Sequence, residues 1–220
     1  MLEKEPPRRG RPPRLDRAQV VDKALELVDA EGLDALSMRR LGRELGVEGP
    51  ALYTYVKDKD ELLDTIGDRV LDVLELDLPG GGTWQERIRV SVAGWAEMQE
   101  RHPGGFPLIY RGPKEKVSRT TEELLDALRS AGFDEAGAAL AYQTLISFLD
   151  GALLEWPRET YFAGKGWERV SRTVDPGRYP RMAEIAPHAA ELGWDEVFWS
   201  GFELLLGGLE ARLGSGQTPD

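Results

Sequence analysis

Apolar residues recur at helical intervals along most of the chain, and no stretch shows the alternation of polar and apolar residues that is typical of a half-buried strand. Val20, Ala24 and Leu27 form the first stripe, behind a predicted capping box made by Asp16 and Gln19. The sequence therefore predicts an all-α protein. Further helical segments are predicted near 84–101, 114–131, 134–155 and 194–213.

Two short helices are predicted near the N-terminus, at about 37–45 and 49–56. Gly46 separates them, and Leu52 and Val56 supply a buried pair for the second segment. Two short helices joined by a tight turn that contains glycine are typical of the helix-turn-helix, whose second helix enters the major groove of DNA. The pattern thus predicts a DNA-binding unit.

The charge of the chain is divided unevenly. The net charge is −11, but residues 1–59 carry nearly equal numbers of basic and acidic side chains, so that the acidity belongs to the remainder. Residues 1–14 are basic and rich in proline, which predicts a disordered arm. Residues 9–12, Arg-Gly-Arg-Pro, resemble the core of an AT-hook, and minor-groove insertion and loose attraction to phosphate both remain open.

Several functional classes find no support in the composition. The chain has no cysteine and only two histidines, His102 and His188, which are far apart in sequence. No metal site, cofactor or catalytic constellation is predicted, and the chain is not expected to be an enzyme. It has no apolar run of membrane-spanning length and a charged N-terminus, so a cytoplasmic protein without a membrane partner is expected.

Residues 35–64, ALSMRRLGRELGVEGPALYTYVKDKDELLD, resemble the DNA-binding region of the tetracycline-repressor family. The resemblance covers residues 15–64 and continues more weakly to the C-terminus, where 197–213 looks like a final dimerisation helix. It implies a ligand-responsive repressor that binds a palindromic operator in double-stranded DNA as a homodimer and dissociates when a small molecule binds.

The resemblance also implies DNA contacts, residue by residue. Ser37 would cap its helix and touch a phosphate, and Arg39 would reach a base edge, where its guanidinium can pair with guanine. The second short helix would supply base, sugar and phosphate contacts, and two lysines would meet the backbone at the next helix. The implied DNA-binding residues are Ser37, Arg39, Pro50, Ala51, Tyr53, Thr54, Tyr55, Lys57 and Lys59.

The segment 194–213 is apolar on nearly all sides, so a helix there must be buried against several neighbours. It also contains glycines, each of which costs a helix about 1 kcal/mol relative to alanine, and this is easiest to explain by a close approach of backbones. With the similar segment 134–155 it predicts a four-helix interface in a homodimer. A monomer core that uses the same residues remains the alternative.

A ligand pocket is expected among the helices that follow residue 83. Aromatic and polar residues there favour an apolar or aromatic effector, and the groups that hold a metal–tetracycline chelate in the family are missing. The candidate ligand-binding residues are Trp95, His102, Tyr110, Gln143 and Glu155. The stretch 157–193, which contains Tyr161 and Phe162, is rich in proline and glycine and is expected to be a long loop that covers a site or an interface.

The predicted organisation is an N-terminal three-helix DNA-binding domain followed by a larger helical domain for ligand binding and dimerisation. A transcriptional activator or an architectural DNA-binding protein of the same fold remains an alternative function, and a helical enzyme is a weaker one. The predicted bounds are 1–14 for the arm, 15–60 for the helix-turn-helix domain, 61–78 for a connecting helix, 83–213 for the ligand and dimerisation domain, and 214–220 for a disordered tail.

Overall fold

The computed structural model describes residues 15–74, 82–154 and 165–215. The predictions that lie outside the described residues concern the arm 1–14, residues 75–78 of the connecting helix, Glu155, Tyr161, Phe162 and the tail residues 216–220.

Every regular element in the described ranges is helical, which confirms the predicted fold class. The α-helices are α1 Arg17–Glu31, α2 Met38–Glu44, α3 Lys59–Val70, α4 Trp84–Arg101, α5 Glu115–Ala131, α6 Glu135–Leu154, α7 Lys165–Thr173, α8 Pro180–Glu191 and α9 Trp194–Ser215. Short 3₁₀ helices cover Leu33–Ala35, Gly49–Thr54, Leu71–Val73 and Phe106–Tyr110. None of the helices in these ranges is both long and apolar enough to cross a bilayer.

The predicted capping box starts α1. The Gln19 amide N–H donates to Asp16 Oδ1 at 2.8 Å, and the Asp16 amide N–H donates to Gln19 Oε1 at 3.0 Å. Val20 and Ala24 on the inner face of α1 are fully buried, together with Leu41 of α2. α1, α2, α3 and the 3₁₀ helix Gly49–Thr54 therefore share one core that holds the N-terminal unit together.

The C-terminal helices pack around α6. α4 packs against α5 and α6, α5 packs against α6, and α6 also contacts α9. Phe198 and Phe202 of α9 are buried, and the Phe148 ring of α6 stacks on Phe198 with 5.6 Å between centroids. The buried side chains of both halves of the protein form one continuous cluster, so a movement in one half can be transmitted to the other.

Two N-terminal elements differ from the prediction. The predicted connecting helix 61–78 begins at Lys59 and ends already at Val70, where a 3₁₀ turn and an extended Leu74 follow. Because the chain leaves the helix here, Leu74 is buried and packs against Gly94 of α4. A Cβ on Gly94 would lie 3.3 Å from Leu74 Cδ2. The second short helix is 3₁₀ and not α. Its Ala51 amide donates to Glu48 O, three residues back, at 2.9 Å, as is typical of a 3₁₀ turn.

The prediction of a long loop over 157–193 is wrong for its described part, which contains α7 and α8. The prediction rests on proline as a helix breaker, but Pro180 occupies the first turn of α8, where no intrahelical N–H bond is lost. Pro187 lies inside α8, in a segment rich in alanine, the best helix former. At the other end, α9 continues to Ser215, beyond the predicted start of the tail at 214.

Candidate functional site

Two glycines shape the turn between α2 and the following 3₁₀ helix. A Cβ on Gly42 would lie 2.8 Å from both Gly49 N and Val47 O, so only glycine lets the turn pack this closely on α2. Gly46 has φ of 70°, in the left-handed region, which is typical of the residue that ends a helix. The turn of the predicted helix-turn-helix thus depends on close backbone packing at Gly42 and on a left-handed backbone conformation at Gly46.

We expect Gly42→Ala to destabilise the protein by about 1–3 kcal/mol, because its methyl group would overlap backbone atoms that cannot rotate away. Gly46→Ala is the matched control, since no atom lies within 4 Å of its Cβ position and only the left-handed conformation opposes the change. It should cost about 1 kcal/mol. Thermal or urea unfolding of both variants measures the difference, and equal losses would contradict the packing argument.

The outer surface of the 3₁₀ helix Gly49–Thr54 carries four of the nine predicted DNA contacts. Pro50, Ala51, Tyr53 and Thr54 are exposed, with 53% of Tyr53 accessible. Leu52 on the opposite side is fully buried, as the sequence predicts. The helix therefore presents small and aromatic side chains to solvent while its other face is fixed in the core.

The segment that follows this helix is anchored from α1. Tyr55 is half-buried, and its carbonyl oxygen accepts a hydrogen bond from Arg17 Nε at 3.2 Å. Arg17 Nη2 also donates to Glu61 at 2.9 Å and to Thr65 at 3.0 Å. Arg17 is not among the predicted site residues. Its one sequence signal is that a basic residue in the first turn of a helix is unfavourable for the helix dipole.

Positive and polar groups converge at the N-terminus of α2. Ser37 is the N-cap, and its Oγ accepts from the Arg40 amide at 3.2 Å. Lys59 Nζ donates to the carbonyl oxygen of Leu36 at 2.7 Å, beside this cap, and an ammonium group has further hydrogens to donate. The structure thus brings Ser37 and Lys59 together at a helix N-terminus, an arrangement suited to a phosphate.

Arg39 and Arg40 have different environments although they are neighbours in sequence. Arg40 Nη1 donates to Glu31 at 2.8 Å, and this pairing lowers the pKa of the Glu31 carboxyl. The exposed Arg39 has no ion-pair partner in the described residues, and neither does the Lys57 side chain. The Arg39 and Lys57 side chains are therefore available to another molecule.

The 3₁₀ helix Phe106–Tyr110 and the glycines before it lie between the two halves of the molecule. A Cβ on Gly104 would lie 2.1 Å from Val28 O at the end of α1, and a Cβ on Gly67 of α3 would lie 2.5 Å from Leu108 O. We call residues 104–110 the junction segment. It touches both α1 and α3 at backbone distance, so that its position and that of the N-terminal helices depend on each other.

Asp29 of α1 holds the start of the junction segment. Its Oδ1 accepts from the amides of Gly104 and Gly105 at 3.1 and 2.9 Å, and its Oδ2 lies 2.8 Å from His102 Nδ1. His102, a candidate ligand residue, is thus engaged with α1 at the end of α4. The sequence offered no signal for this contact between residues 73 positions apart.

An acidic row on α3 forms a second connection. The row comprises Asp60, Asp64, Asp68 and Asp72, spaced four residues apart along one side of α3 and its 3₁₀ extension. Basic residues before and within the start of α5 pair with it: Arg111 with Asp60 at 3.1 Å and with Asp64 at 2.9 Å, Lys114 with Asp68 at 2.9 Å, and Lys116 with Asp72 at 2.7 Å. The regular spacing of the aspartates is visible in the sequence, but their basic partners are 44 to 51 positions away and are not.

The other candidate ligand residues in the described ranges do not form one group. Trp95 is buried, and its ring meets Phe106 of the junction segment edge to face at 6.5 Å. The Tyr110 hydroxyl donates to Asp150 at 2.5 Å, and burial together with this carboxylate raises the pKa of Tyr110. Gln143 is exposed on α6 and does not join Trp95. No group of residues able to hold a metal ion is found in the described ranges.

Comparison with known proteins gives consistent matches along the chain. The family model for bacterial regulatory proteins of the tetR family matches residues 20–66, and the model for the C-terminal domain of tetracyclin repressor-like proteins matches residues 76–213. The class D tetracycline repressor protein of Escherichia coli is 30% identical over 203 residues, which are 91% of each chain.

Two further similar proteins come from Streptomyces. The HTH-type transcriptional repressor DrrR1 of Streptomyces coeruleorubidus is 31% identical over 94% of this chain and 82% of its own length. The crystal structure of the Streptomyces coelicolor protein ActR in complex with actinorhodin has a TM-score of 0.72 and 29% identity, and the match covers 91% of this chain and 99% of ActR.

Proposed function

Since this chain belongs to the tetracycline-repressor family and is a ligand-responsive, DNA-binding transcriptional repressor, we propose that it binds a palindromic operator as a homodimer and dissociates when a small molecule enters its C-terminal domain. The observation that carries this proposal is the helix Gly49–Thr54, which is exposed on one side and fixed in the core on the other. The proposed action is binding without catalysis.

The proposed DNA contacts divide into base readout and phosphate contacts. Arg39 on α2, together with Pro50, Ala51 and Thr54, would meet base edges or sugars in the major groove. Tyr55 is half-buried and would contribute through its outer edge only. The groups proposed for phosphates are Ser37, Tyr53, Lys57 and Lys59.

The exposed face of α9 supports the proposed homodimer. Leu204 is 77% accessible in the single chain, and Val197 two turns earlier is also exposed. Nothing lies within 4 Å of a Cβ on Gly207 or Gly208, which leaves space for the backbone of a second subunit. With the exposed Leu140 of α6, this face fits the four-helix interface proposed for segments 134–155 and 194–213.

α7 and α8 support a second contact between subunits. They pack against each other, while Tyr179, Met182 and Ile185 remain exposed along α8 and the residue that precedes it. We propose that the partner subunit packs on this apolar stripe. The region would then lie at an interface, as predicted from the sequence, although it is helical and not a loop.

The junction segment supports a mechanism of release. A ligand that enters beside Trp95 would displace Phe106, and the junction segment carries that displacement to α1 and α3. Tilting α3 would change the separation of the two recognition helices and favour a dimer that no longer matches the operator. ActR, which is similar to this chain, is described in complex with actinorhodin, and this supports a small-molecule effector here.

Selection of operator DNA from a randomised pool, followed by footprinting, tests the proposed function. One discrete two-fold site is expected, and the protected half-sites should be one helical turn apart. Uniform coverage of the DNA would indicate an architectural protein instead. Placing the selected site over a promoter then distinguishes repression from activation by the change in transcript level. An effector that leaves operator affinity unchanged at fixed salt would contradict the release mechanism.

We expect Arg39→Ala to weaken binding to the selected operator by about tenfold to a hundredfold, since a bidentate arginine–guanine pair contributes about 1–3 kcal/mol of discrimination. Affinity for unrelated DNA should change little. Arg43→Ala, which removes another exposed arginine of α2, is the control and should leave discrimination intact. Fluorescence anisotropy at fixed salt measures both, and an equal loss on all DNA would exclude base reading by Arg39.

A further inference from the structure

The 3₁₀ helix Gly49–Thr54, which is the recognition helix of the proposed function, is attached differently at its two ends. Its first end packs on α2 at backbone distance, since a Cβ on Gly49 would lie 3.2 Å from Arg39 Cα. Leu52 is its buried residue, and a 3₁₀ helix of six residues makes few hydrogen bonds of its own. The direction of its outer face therefore depends on what holds its last turn.

Arg17 of α1 supplies this second attachment. Its Nε donates to the Tyr55 carbonyl at 3.2 Å, and its Nη2 donates to Glu61 and Thr65 of α3 at 2.9 and 3.0 Å. The Thr65 hydroxyl donates in turn to the Glu61 carbonyl at 2.8 Å, so its lone pairs are left to accept from Arg17. One guanidinium group thus joins α1, α3 and the end of the recognition helix. We call Arg17, the Glu61 carboxylate and the Tyr55 carbonyl the clamp.

Glu61 extends the clamp to a residue that is proposed to meet DNA. Its second carboxylate oxygen accepts from the Lys57 amide, so the backbone on both sides of Val56 is held. Because Arg17 pairs with Glu61, the negative charge of this carboxylate is partly neutralised beside a surface that must approach phosphate groups. The clamp therefore fixes the backbone of the DNA-facing segment and limits its negative charge.

Resting on the proposed function, we propose that Arg17 is a positioning residue for operator binding, which fixes the angle between the recognition helix and α3 without touching a base or a phosphate. A helix that is held in its bound orientation has less freedom to lose when it enters the groove, so specific affinity rises. Nonspecific affinity comes from phosphate charge and does not depend on this angle. When α3 tilts in the proposed release mechanism, the clamp passes the movement to the recognition helix.

The clamp can be opened without unfolding the protein. The Arg17 and Glu61 side chains are 51% and 39% accessible, and ion pairs exposed to this extent contribute little to stability. Arg17→Met keeps most of the length of the side chain and removes all its donors. Lys23→Met is the matched control, because Lys23 is also a cation of α1 but pairs with Glu26 of the same helix.

Amide hydrogen exchange of the full-length protein without DNA tests the clamp itself. In Arg17→Met the amides of residues 55–57 should exchange faster than in the wild type, because the end of the recognition helix opens more often. Lys23→Met should exchange as the wild type does, and circular dichroism should give the same helix content for all three proteins. Unchanged exchange of these amides in Arg17→Met would overturn the proposal.

Fluorescence anisotropy with the selected operator and with unrelated DNA, over a range of salt concentrations, tests the effect on binding. Arg17→Met should bind the operator about tenfold more weakly, as expected for the loss of charge-assisted hydrogen bonds. Its affinity for unrelated DNA and the salt dependence of binding should be unchanged. A phosphate contact by Arg17 would instead weaken binding to all DNA and reduce the salt slope by about 1, and this result would contradict a positioning role. Wild-type affinity for both DNAs would contradict it as well.

Glu61→Ala opens the clamp from the side of α3 and is an independent test. The quantity compared is the ratio of operator affinity to affinity for unrelated DNA, since the lost negative charge alters binding to both alike. Glu61→Ala should lower this ratio, and the Arg17→Met/Glu61→Ala double variant should lower it no further than Arg17→Met does, because both changes open one clamp. Additive losses would show that the two residues act separately and would overturn the proposal.

Failure of the clamp and failure of the proposed function are distinguishable. The binding experiments compare variants on an operator that the wild type binds, so a clamp without effect leaves operator recognition intact. If selection yields no discrete site for the wild type, the proposed function itself is lost. The exchange measurement needs no DNA and reports on the clamp in either case.

Discussion

Leu204→Glu is expected to convert the protein into a folded monomer and to weaken operator binding by about a hundredfold or more, because two linked recognition helices gain that factor from effective concentration. Leu204 is 77% accessible in the single chain, so the substitution leaves the fold of each subunit intact. In the proposed dimer, two glutamates would face each other across an apolar interface, where an unpaired charge is strongly unfavourable.

Sedimentation at micromolar concentration and anisotropy with the selected operator measure the two effects of Leu204→Glu. Val90→Glu is the matched control, since Val90 is an exposed apolar residue on α4, outside the proposed interface, and its variant should remain dimeric. Circular dichroism should give the same helix content for both. A Leu204→Glu protein that remains dimeric would show that α9 packs only within its own subunit.

The all-α fold and most helix positions could be predicted because the local signals are strong and consistent. The capping box at Asp16 and the amphipathic stripes each act within one helix, and α1 and α4 lie where the sequence predicts them. Family membership could be predicted for a similar reason, since residues 35–64 form one contiguous segment that carries the helix-turn-helix.

The missed elements have a common physical cause, which is that tertiary packing overrode a local preference. Pro187 would end an isolated helix, yet it lies within α8, which packs against α7. The predicted connecting helix 61–78 includes Leu71 and Leu74, but the chain leaves the α-helix at these residues and buries both side chains. Helix periodicity alone contains no information about either contact.

The candidate sites were predictable to different extents. DNA-contact positions follow from a motif whose geometry is nearly fixed, and exposure of Arg39 and Tyr53 agrees with the roles proposed for them. The ligand site is assembled from residues distant in sequence, and the sequence does not show that the candidate residue Gln143 is exposed on α6. Arg17 could be recognised only after its contacts across three helices were known.

The connection between the two halves explains why the C-terminal domain can control DNA binding. The junction segment contacts α1 through Gly104 and α3 through Gly67, and the acidic row adds ion pairs along α3. Exposed ion pairs contribute little to stability individually, whereas close backbone contacts tolerate no added atom. The glycine contacts should therefore determine the position of α3, and the ion pairs should adjust it in a salt-dependent way.

Gly67→Ala is accordingly expected to displace α3 and to lower operator affinity without removing any DNA contact. Its Cβ would lie 2.5 Å from Leu108 O, so either the junction segment or α3 must move, at a cost of about 1–3 kcal/mol in stability. Since the chain has no cysteine, a single spin label at Glu48→Cys reports the distance between recognition helices in the dimer. Gly214→Ala in α9, where no atom lies within 4 Å, is the control and should leave that distance unchanged. If Gly67→Ala gives the distance distribution and operator affinity of the control, α3 is not positioned by the junction segment and the release mechanism must use another route.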